Sequence, residues 1–549
     1  MVHGLVVVAL LAVIIPFAIR AAQASPPPIA EFAPQVQKPI TDAPQEQTAR
    51  FGNGAGGQAN GGGSASPTPS ALIAALLPSP SPTFPPNTLF RRCVGNPPRQ
   101  IEDSQSPPCV PFFNGPNGGA TSIGVTKDTI KVATLCSKAP NKNGDDQDFA
   151  TFFNRRFEFY GRQIVLDCHG WSATADAPTA RADANAVVAN GDFASTEYPN
   201  GDAGLYYYDE LARNHVVAGA TLNDFLTQNW MSQRPSVFQY EMSVDNVFSN
   251  LGQFTCDWLA GKPPSHMGGT ALNKPTTRKF GIYFTYGATD SAVSTAPLKQ
   301  ALAQCGVAID SNSEVDLLAS DASAQAQQQA AVKLASAGVT TVFCLPSNVS
   351  AQCGPLQRDS TQQNFYPEWI FSTYGIADRQ YDFKLFQFPA EQMANTFGIT
   401  VTPRQINPQD EPWWWAMHEA NPTQTNDGST VTEYFEYLEY HSWLLLASGI
   451  QEAGPNLTPQ TFAAGLQRAL FPNPITPEME GAVGFAGGSH SMTTDVAVWW
   501  WNNTARSPYT GDNPGTICYF NHGQRFNASS WARINGPDPL FNPTCDSGG

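Results

Sequence analysis

From Thr129 to Thr373, short β-rich runs alternate with helical patterns, and this alternation limits the fold more than any other feature of the chain. "TIKVATL" (129–135) is mostly apolar, as in a strand covered on both faces. Phe149, Phe152, Phe153, Phe157 and Tyr160 then recur at helical spacing, with Asp145 and Asp146 as cap candidates and Gly161 behind them. "QIVLDC" is a second strand, "PTARADANAVVAN" a helix between Pro178 and Gly191, "DFAST" a third strand, "AGLYYYDELARN" a helix and "HVVAGA" a fourth strand. A second series follows: a helix marked by Val244, Val247, Phe248, Leu251, Phe254 and Trp258, then "KFGIYFT", "AVSTAPLKQALAQCG", "AQQQAAVKLASAG", "TTVFCL" and "EWIFST". Strands alternating with helices need right-handed crossovers and parallel sheets. Two series predict an α/β protein of two doubly wound parallel-sheet lobes.

The stretch before this series cannot fold the same way. Phe51 to Phe90 contains no Asp, Glu, Lys or Arg; it is Gly-rich, then Pro/Ser-rich, and buries too little apolar surface to offset its ordering entropy. Residues 25–90 read as a tether, with "ALIAALL" (71–77) as an apolar island. Residues 1–24 read as an export signal: "LVVVALLAVII" is the apolar segment, and Ala22-Gln23-Ala24 the small-x-small cleavage site before Ser25. An uncleaved anchor is the rival reading, although the Gly4–Ile19 run is short for a bilayer and contains Pro16.

The ten cysteines of an exported chain favour disulfides over metal or thiol chemistry. Counts alone do not give connectivity; proximity suggests Cys93 with Cys109, Cys344 with Cys353 and Cys518 with Cys545, which leaves Cys136 with Cys168 and Cys256 with Cys305 as one pairing open to the other four. Cys136 and Cys168 both end strands, so adjacent parallel strands would place them at one sheet edge. No CxxC occurs, which leaves zinc ribbons without support. The net charge of −16 offers no basic face for nucleic acid. There is no GxSxG elbow ("GGSHS" lacks the final Gly), no HExxH, no close His pair and no GK[ST] loop, so catalysis has no positive support and no cofactor is expected.

"GVTKDTIKVA", "FFNRRFEFYGRQIVLD" and "GATLNDF" resemble the type I periplasmic-binding-protein family, in its Leu/Ile/Val-binding-like branch of ABC-transporter receptors. "YFTYGATDSAV", "EYLEYHSWLLLASGIQEAG" and "GAVGFAGGSHSMTTDVAVWWWN" follow in the family's order, and the resemblance covers residues 122 to 520. It implies two lobes joined by three crossing strands, placed here as 91–245 plus 375–455 and 246–374 plus 456–549. It also implies an extracytoplasmic, monomeric receptor that traps a small molecule between its lobes and delivers it to an ABC permease. A sensor or scaffold of the same fold, or a secreted α/β hydrolase, are the alternatives. Contact with the membrane is expected only through an uncleaved amino terminus.

Ligands of open α/β sheets sit beyond the carboxyl ends of the strands. On that ground, and by the resemblance, the candidate ligand-binding residues are Ser195, Glu197 and Tyr198 after the third strand, and Thr221 in "GAT". In the second lobe they are Tyr286, Ser347, Thr373 and Tyr374. Trp171 is the candidate for stacking. The usual Gly and Ser-Ser pattern is missing after the third strand, which argues against carboxylate binding there; no acid follows "WIFS", which argues against a free amino acid unless Glu197 supplies the charge. Three adjacent Trp cannot share one face of a helix or strand, so Trp413–Trp415 are expected to pack on a helix crossing the lobes and Trp499–Trp501 in a half-buried hairpin strand.

Overall fold

A computed structural model describes Leu89 and residues 91–547, apart from 136–143, 170–175, 197–200, 221–225, 269–274, 288–292, 348, 377, 379–382, 385, 425–432, 474–480, 508–513 and 543. The expected signal and nearly all of the expected tether lie outside the described residues.

A small hairpin comes first, with β1 (Cys93–Val94) antiparallel to β2 (Arg99–Gln100). The first sheet follows: β3 (Thr129–Leu135), β4 (Gln163–His169), β5 (Ala194–Ser195), β6 (Val217–Ala220) and β7 (Val237–Gln239). Its order is β4-β3-β5-β6-β7, and every pair is parallel. Its helices are α1 (Gly144–Arg156), α2 (Ala177–Asn190), α3 (Gly201–Arg213) and α4 (Gln228–Ser232).

Along β3 the side chains alternate between two cores. Ile130 and Val132 join Phe149, Phe152 and Phe153 of α1, whereas Ala133 joins Ala180, Ala184 and Val187 of α2. Each phenylalanine on the buried stripe of α1 contributes roughly 1.5–3 kcal/mol of transfer free energy. That helix stops at Arg156, earlier than the aromatic spacing suggests: Tyr160 (φ 58°) and Gly161 (φ 80°) turn the chain toward β4. Capping bounds α2 closely. The Asp176 carboxylate accepts from Thr179 N at 2.8 Å, and Gly191, at φ 71°, donates to Val187 O and Val188 O.

The second unit opens with α5 (Val244–Phe254), which continues as one π-helical turn through Leu259. Then come β8 (Phe280–Tyr286), α6 (Ala296–Ala303), β9 (Glu314–Leu318), α7 (Ala324–Ser336), β10 (Thr341–Leu345), α8 (Val349–Gln362), β11 (Glu368–Phe371), α9 (Ala390–Met393) and β12 (Thr396–Thr400). Pro297 does not interrupt a long helix; it sits in the first turn of a short one, where a missing N–H costs nothing. After α10 (Pro412–Ala420), α11 (Glu433–Ala453) and α12 (Pro459–Arg468), the chain returns as β13 (Val496–Asn502), β14 (Thr516–Tyr519) and β15 (Arg525–Phe526). The second sheet runs β14-β13-β12-β11-β10-β8-β9, with β15 on β13. It is parallel from β9 to β12, and β13 is antiparallel to β12, β14 and β15.

Several expectations need correction. β12 lies in the second sheet, so 375–401 falls on that side and not with 375–455 in the first lobe. Conversely, Phe462, Leu466, Phe471, Val483, Phe485 and Met492 bury into the first core, so 456–492 does not belong to the second lobe. Hydrophobic burial decides this: α11 and α12 cover the α1 face of the first sheet. α10 does not cross the lobes; Trp415 packs edge-on against Phe152 of α1 at 5.3 Å. β13 is not half-buried. Val496, Val498 and Trp500 enter one core of the second sheet and Trp499 and Trp501 the other, because that sheet has cover on both faces.

The disulfides among the described residues are Cys93–Cys109, Cys256–Cys305, Cys344–Cys353 and Cys518–Cys545. Cys136 lies outside the described residues. Among these residues no helix is long and apolar enough to cross a membrane.

Candidate interlobe binding site

The chain passes between the two sheets three times, at 241–243, 402–411 and 493–495, where buried residues change from one core to the other. The first passage leaves the carboxyl end of β7 and the second the carboxyl end of β12, so the carboxyl edges of both parallel sheets are turned toward the passages. Gln239 N donates to His490 O, and Met492 N to Gln239 O, each at 2.9 Å; Thr493 N donates to Tyr240 O at 2.8 Å. The first and third passages thus run side by side. Arg525 ties in the second. Its Nη2 donates to Val401 O (2.8 Å) and Asp495 O (2.9 Å), its Nη1 to Thr402 O (3.1 Å) and its Nε to Asp495 Oδ1 (3.0 Å).

Each parallel sheet has the order 2-1-3-4-5 in its own strand sequence, so each reverses direction once, between β3 and β5 and between β8 and β10. Such switch points open a crevice at the carboxyl ends of their two strands. In the first sheet the crevice lies beyond Leu135 and Ser195; in the second, beyond Tyr286 and Leu345.

Trp171, Glu197, Tyr198 and Thr221 lie outside the described residues. Ser195 stands at the first switch point, but it is fully buried and its hydroxyl is shared with Tyr207 Oη at 2.7 Å. At the second, the structure brings Tyr286, Ser347 and Tyr374 together around Thr285. Ser347 N donates to Thr285 Oγ1 at 2.9 Å, and the Tyr374 hydroxyl donates to Thr285 O at 2.9 Å. Tyr374 is buried edge-on against Phe248, so it is a core residue rather than a free hydroxyl. Thr373 is also committed: its hydroxyl donates to Asp378 Oδ2 at 2.8 Å and accepts from Val401 N at 2.9 Å, tying β11 to the second passage. Tyr286 and Ser347 remain half-buried, with the Tyr286 ring stacked on Phe284 at 5.5 Å.

The sequence reading missed several residues here. Gly375, at φ 69°, lies so close to Pro346 that an added Cβ would be 1.8 Å from Pro346 O. A glycine after "STY" is the one signal that could have marked it. The Gln239 Oε1 and Ser372 Oγ atoms, at the carboxyl ends of β7 and β11, are buried with no hydrogen-bond partner among the described residues. Behind the passages, His441 of α11 stacks on Tyr240 at 4.2 Å and contacts the Tyr437 ring at 4.2 Å, while its Nδ1 donates to Tyr437 O at 2.7 Å. Burial pushes its pKa down to about 3 and raises that of Tyr437, so His441 is a neutral packing group.

Asp167, His169 and Asp192 gather metal-ligating atoms within 4.8 Å of one another. The place a cation would take is already filled: Lys131 Nζ lies 2.5 Å from Asp167 Oδ2 and 3.4 Å from Asp192 Oδ1. His169 Nε2 meets Asp192 Oδ2 at 3.0 Å, and this bond raises the His169 pKa. The group is a closed ion-pair network on the first lobe.

No protein-family model and no curated protein matches the chain in sequence. Solved structures do match in fold. A solute-binding protein of an ABC transporter from R. palustris, in complex with 4-hydroxybenzoate, aligns over 74% of this chain and 99% of its own, with 12% identity and a TM-score of 0.50. A substrate-binding protein of an ABC transporter from Aeropyrum pernix covers 73% and 97%, at 14% identity and a TM-score of 0.51. One from Rhodopseudomonas palustris HaA2, in complex with p-hydroxybenzoic acid, covers 76% and 100%, at 11% identity and 0.51. The fold is that of the type I periplasmic binding proteins, with two α/β lobes.

Proposed function

We propose that the protein is an extracytoplasmic solute-binding receptor that captures a small molecule between its lobes and hands it to an ABC permease. The observation that carries this reading is that the carboxyl ends of both parallel sheets, where each strand order reverses, open toward the same three passages. Neither crevice presents a nucleophile paired with a base among the described residues, which favours binding over chemistry. Tyr286 supplies a half-exposed ring, Ser347 a hydroxyl, and Gln239 and Ser372 uncommitted polar atoms. Tyr286 and Ser347 suit a polar or aromatic solute; Glu197, the candidate partner for an ammonium group, lies outside the described residues. The fold relatives crystallised with hydroxybenzoates agree with that class.

A thermal-shift screen of the exported chain against a metabolite set, hydroxybenzoates and branched amino acids included, tests the reading. A ligand at a hundred times its Kd adds about 2.7 kcal/mol to the native state and raises Tm accordingly. Tyr286→Ala should abolish the shift while lowering the unliganded Tm little. A shift that survives both Tyr286→Ala and Ser347→Ala would place the ligand elsewhere.

A further inference from the structure

The resemblance to binding proteins begins at Ser122, yet the described chain begins some thirty residues earlier, at 91. Those residues, closed by Cys93–Cys109, carry four buried polar side chains, Glu102, Asp103, Gln105 and Ser106. Glu102 pairs with Arg156 at 2.7 Å, and the Tyr440 hydroxyl donates to Asp103 Oδ2 at 2.5 Å; these bonds fasten the segment to α1 and α11. Gln105 is almost fully buried and reaches further. Its Oε1 accepts from the Tyr240 hydroxyl at 2.5 Å, and its Nε2 donates to Gly481 O at 2.7 Å. Tyr240 stands immediately before the first passage. Gly481 is followed by Ala482, whose N–H donates to both carboxylate oxygens of Asp495, at 3.1 and 3.0 Å. Asp495 belongs to the third passage and is held by Arg525, which also holds the second.

We infer that the 91–121 segment is a hinge brace: through Gln105 it ties Tyr240, at the first-lobe end of the first passage, to the Gly481–Ala482 peptide that holds Asp495 of the third, as Arg525, on the second-lobe side, clamps the third passage to the second. Movement of the first and third passages against each other at their first-lobe side is then restrained. The physical ground is continuity: hydrogen bonds run from Gln105 through Tyr240 to the first passage, through the Gly481–Ala482 peptide to the third, and from there through Arg525 to the second. Removing the Gln105 side chain costs the Tyr240 hydroxyl one of its partners, Tyr437 Oη remaining at 3.2 Å, and leaves the Gly481 carbonyl short of a donor. The inference rests on the hinge of the proposed receptor but not on any ligand.

Hydrogen exchange of the full chain without ligand tests it. The readout is the amides bonded across the passages: Gln239, Met492, Thr493 and Thr494. Gln105→Ala should speed their exchange roughly three- to tenfold, the equivalent of one lost buried hydrogen bond, and leave β3 and β4 protected. Tyr240→Phe, which removes only a hydroxyl, should act in the same direction and serves if the first variant does not fold. Thr121→Val cuts the segment's bond to Leu457 O, away from Gln105, and should leave the four amides unchanged. The inference is overturned if those amides keep wild-type rates in the Gln105 and Tyr240 variants, or if Thr121→Val speeds them equally. The result is independent of the ligand screen: a receptor can bind its solute with an unbraced hinge, and a braced hinge can be found before any solute is.

Discussion

Replacing Arg525 by methionine keeps the alkyl stem and removes the charge. The Arg525 side chain is 2% exposed and that of Asp495 7%, so neither partner can turn to water. The substitution would leave the carbonyls of Val401, Thr402 and Asp495 short of a donor, and the Asp495 carboxylate with only the Ala482 N–H. Removing one partner of a buried, hydrogen-bonded ion pair costs about 3–5 kcal/mol. In urea denaturation followed by tryptophan fluorescence, the midpoint should fall by that amount divided by an unchanged m. Asp495→Asn alone should also be costly, and the double variant should be at least about 1 kcal/mol more stable than the sum of the single losses, because the second change removes the stranded charge. A loss under about 1 kcal/mol for Arg525→Met, or strict additivity in the double variant, would refute the assignment of Arg525 as the second-lobe clamp.

Two groups, buried His441 and half-buried Glu452, predict opposite pH slopes. His441 is held neutral down to about pH 3 against 6.5 when unfolded, so below pH 6.5 the unfolded chain binds a proton the native one does not, and stability falls by up to about 1.4 kcal/mol per pH unit toward pH 3. Glu452, which burial raises to about 7 from 4.5, acts the other way: its stabilising contribution is full below pH 4.5 and is lost as the pH rises through 7. His441→Phe should flatten the acid limb of a Tm–pH profile and Glu452→Gln the limb above pH 4.5; profiles parallel to wild type would show that neither group is buried as described. Gly375→Ala forces both a left-handed backbone and a 1.8 Å contact with Pro346 O, so it should cost about 2–4 kcal/mol and weaken solute binding through the displaced Ser347 loop. An unchanged Tm in differential scanning calorimetry would show that the loop yields freely.

Much of the fold was legible because local chemistry and long-range packing agree there. "TIKVATL" is a strand from Thr129 to Leu135 with the bounds read from the sequence, since a β-branched, apolar run suits a sheet covered on both faces. Pro178 and Gly191 announce the ends of α2 by residue type alone, and the structure adds Asp176 as its N-cap. β9, β12 and α8 were missed: "EVDLL" and "TFGIT" are too short to show a period, and Pro355 stands inside α8. The lobe boundaries failed for a different reason. Nothing local distinguishes a helix of the first lobe from one of the second; α12 belongs to the first because Phe462 fills a space beside Phe193 and Phe238.

The candidate site divides in the same way. Residue type and position after a strand selected Ser195, Thr373 and Tyr374, but their hydroxyls are bound to Tyr207, Asp378 and Thr285, partners that no spacing rule reveals. Arg525 and Gln105 carried no signal at all, because each acts on residues far from it in sequence.

The amino-acid sequence by itself determined the alternation of strand and helix, the two repeated doubly wound series and the cysteine supply, since periodicity, caps and composition act over a few residues. Only the tertiary structure decided which hydroxyls are consumed internally, where the chain changes lobes, and which distant groups lock the three passages together. Those outcomes depend on which buried polar groups meet across hundreds of residues, and the free energy of such a meeting exists only once the chain has packed.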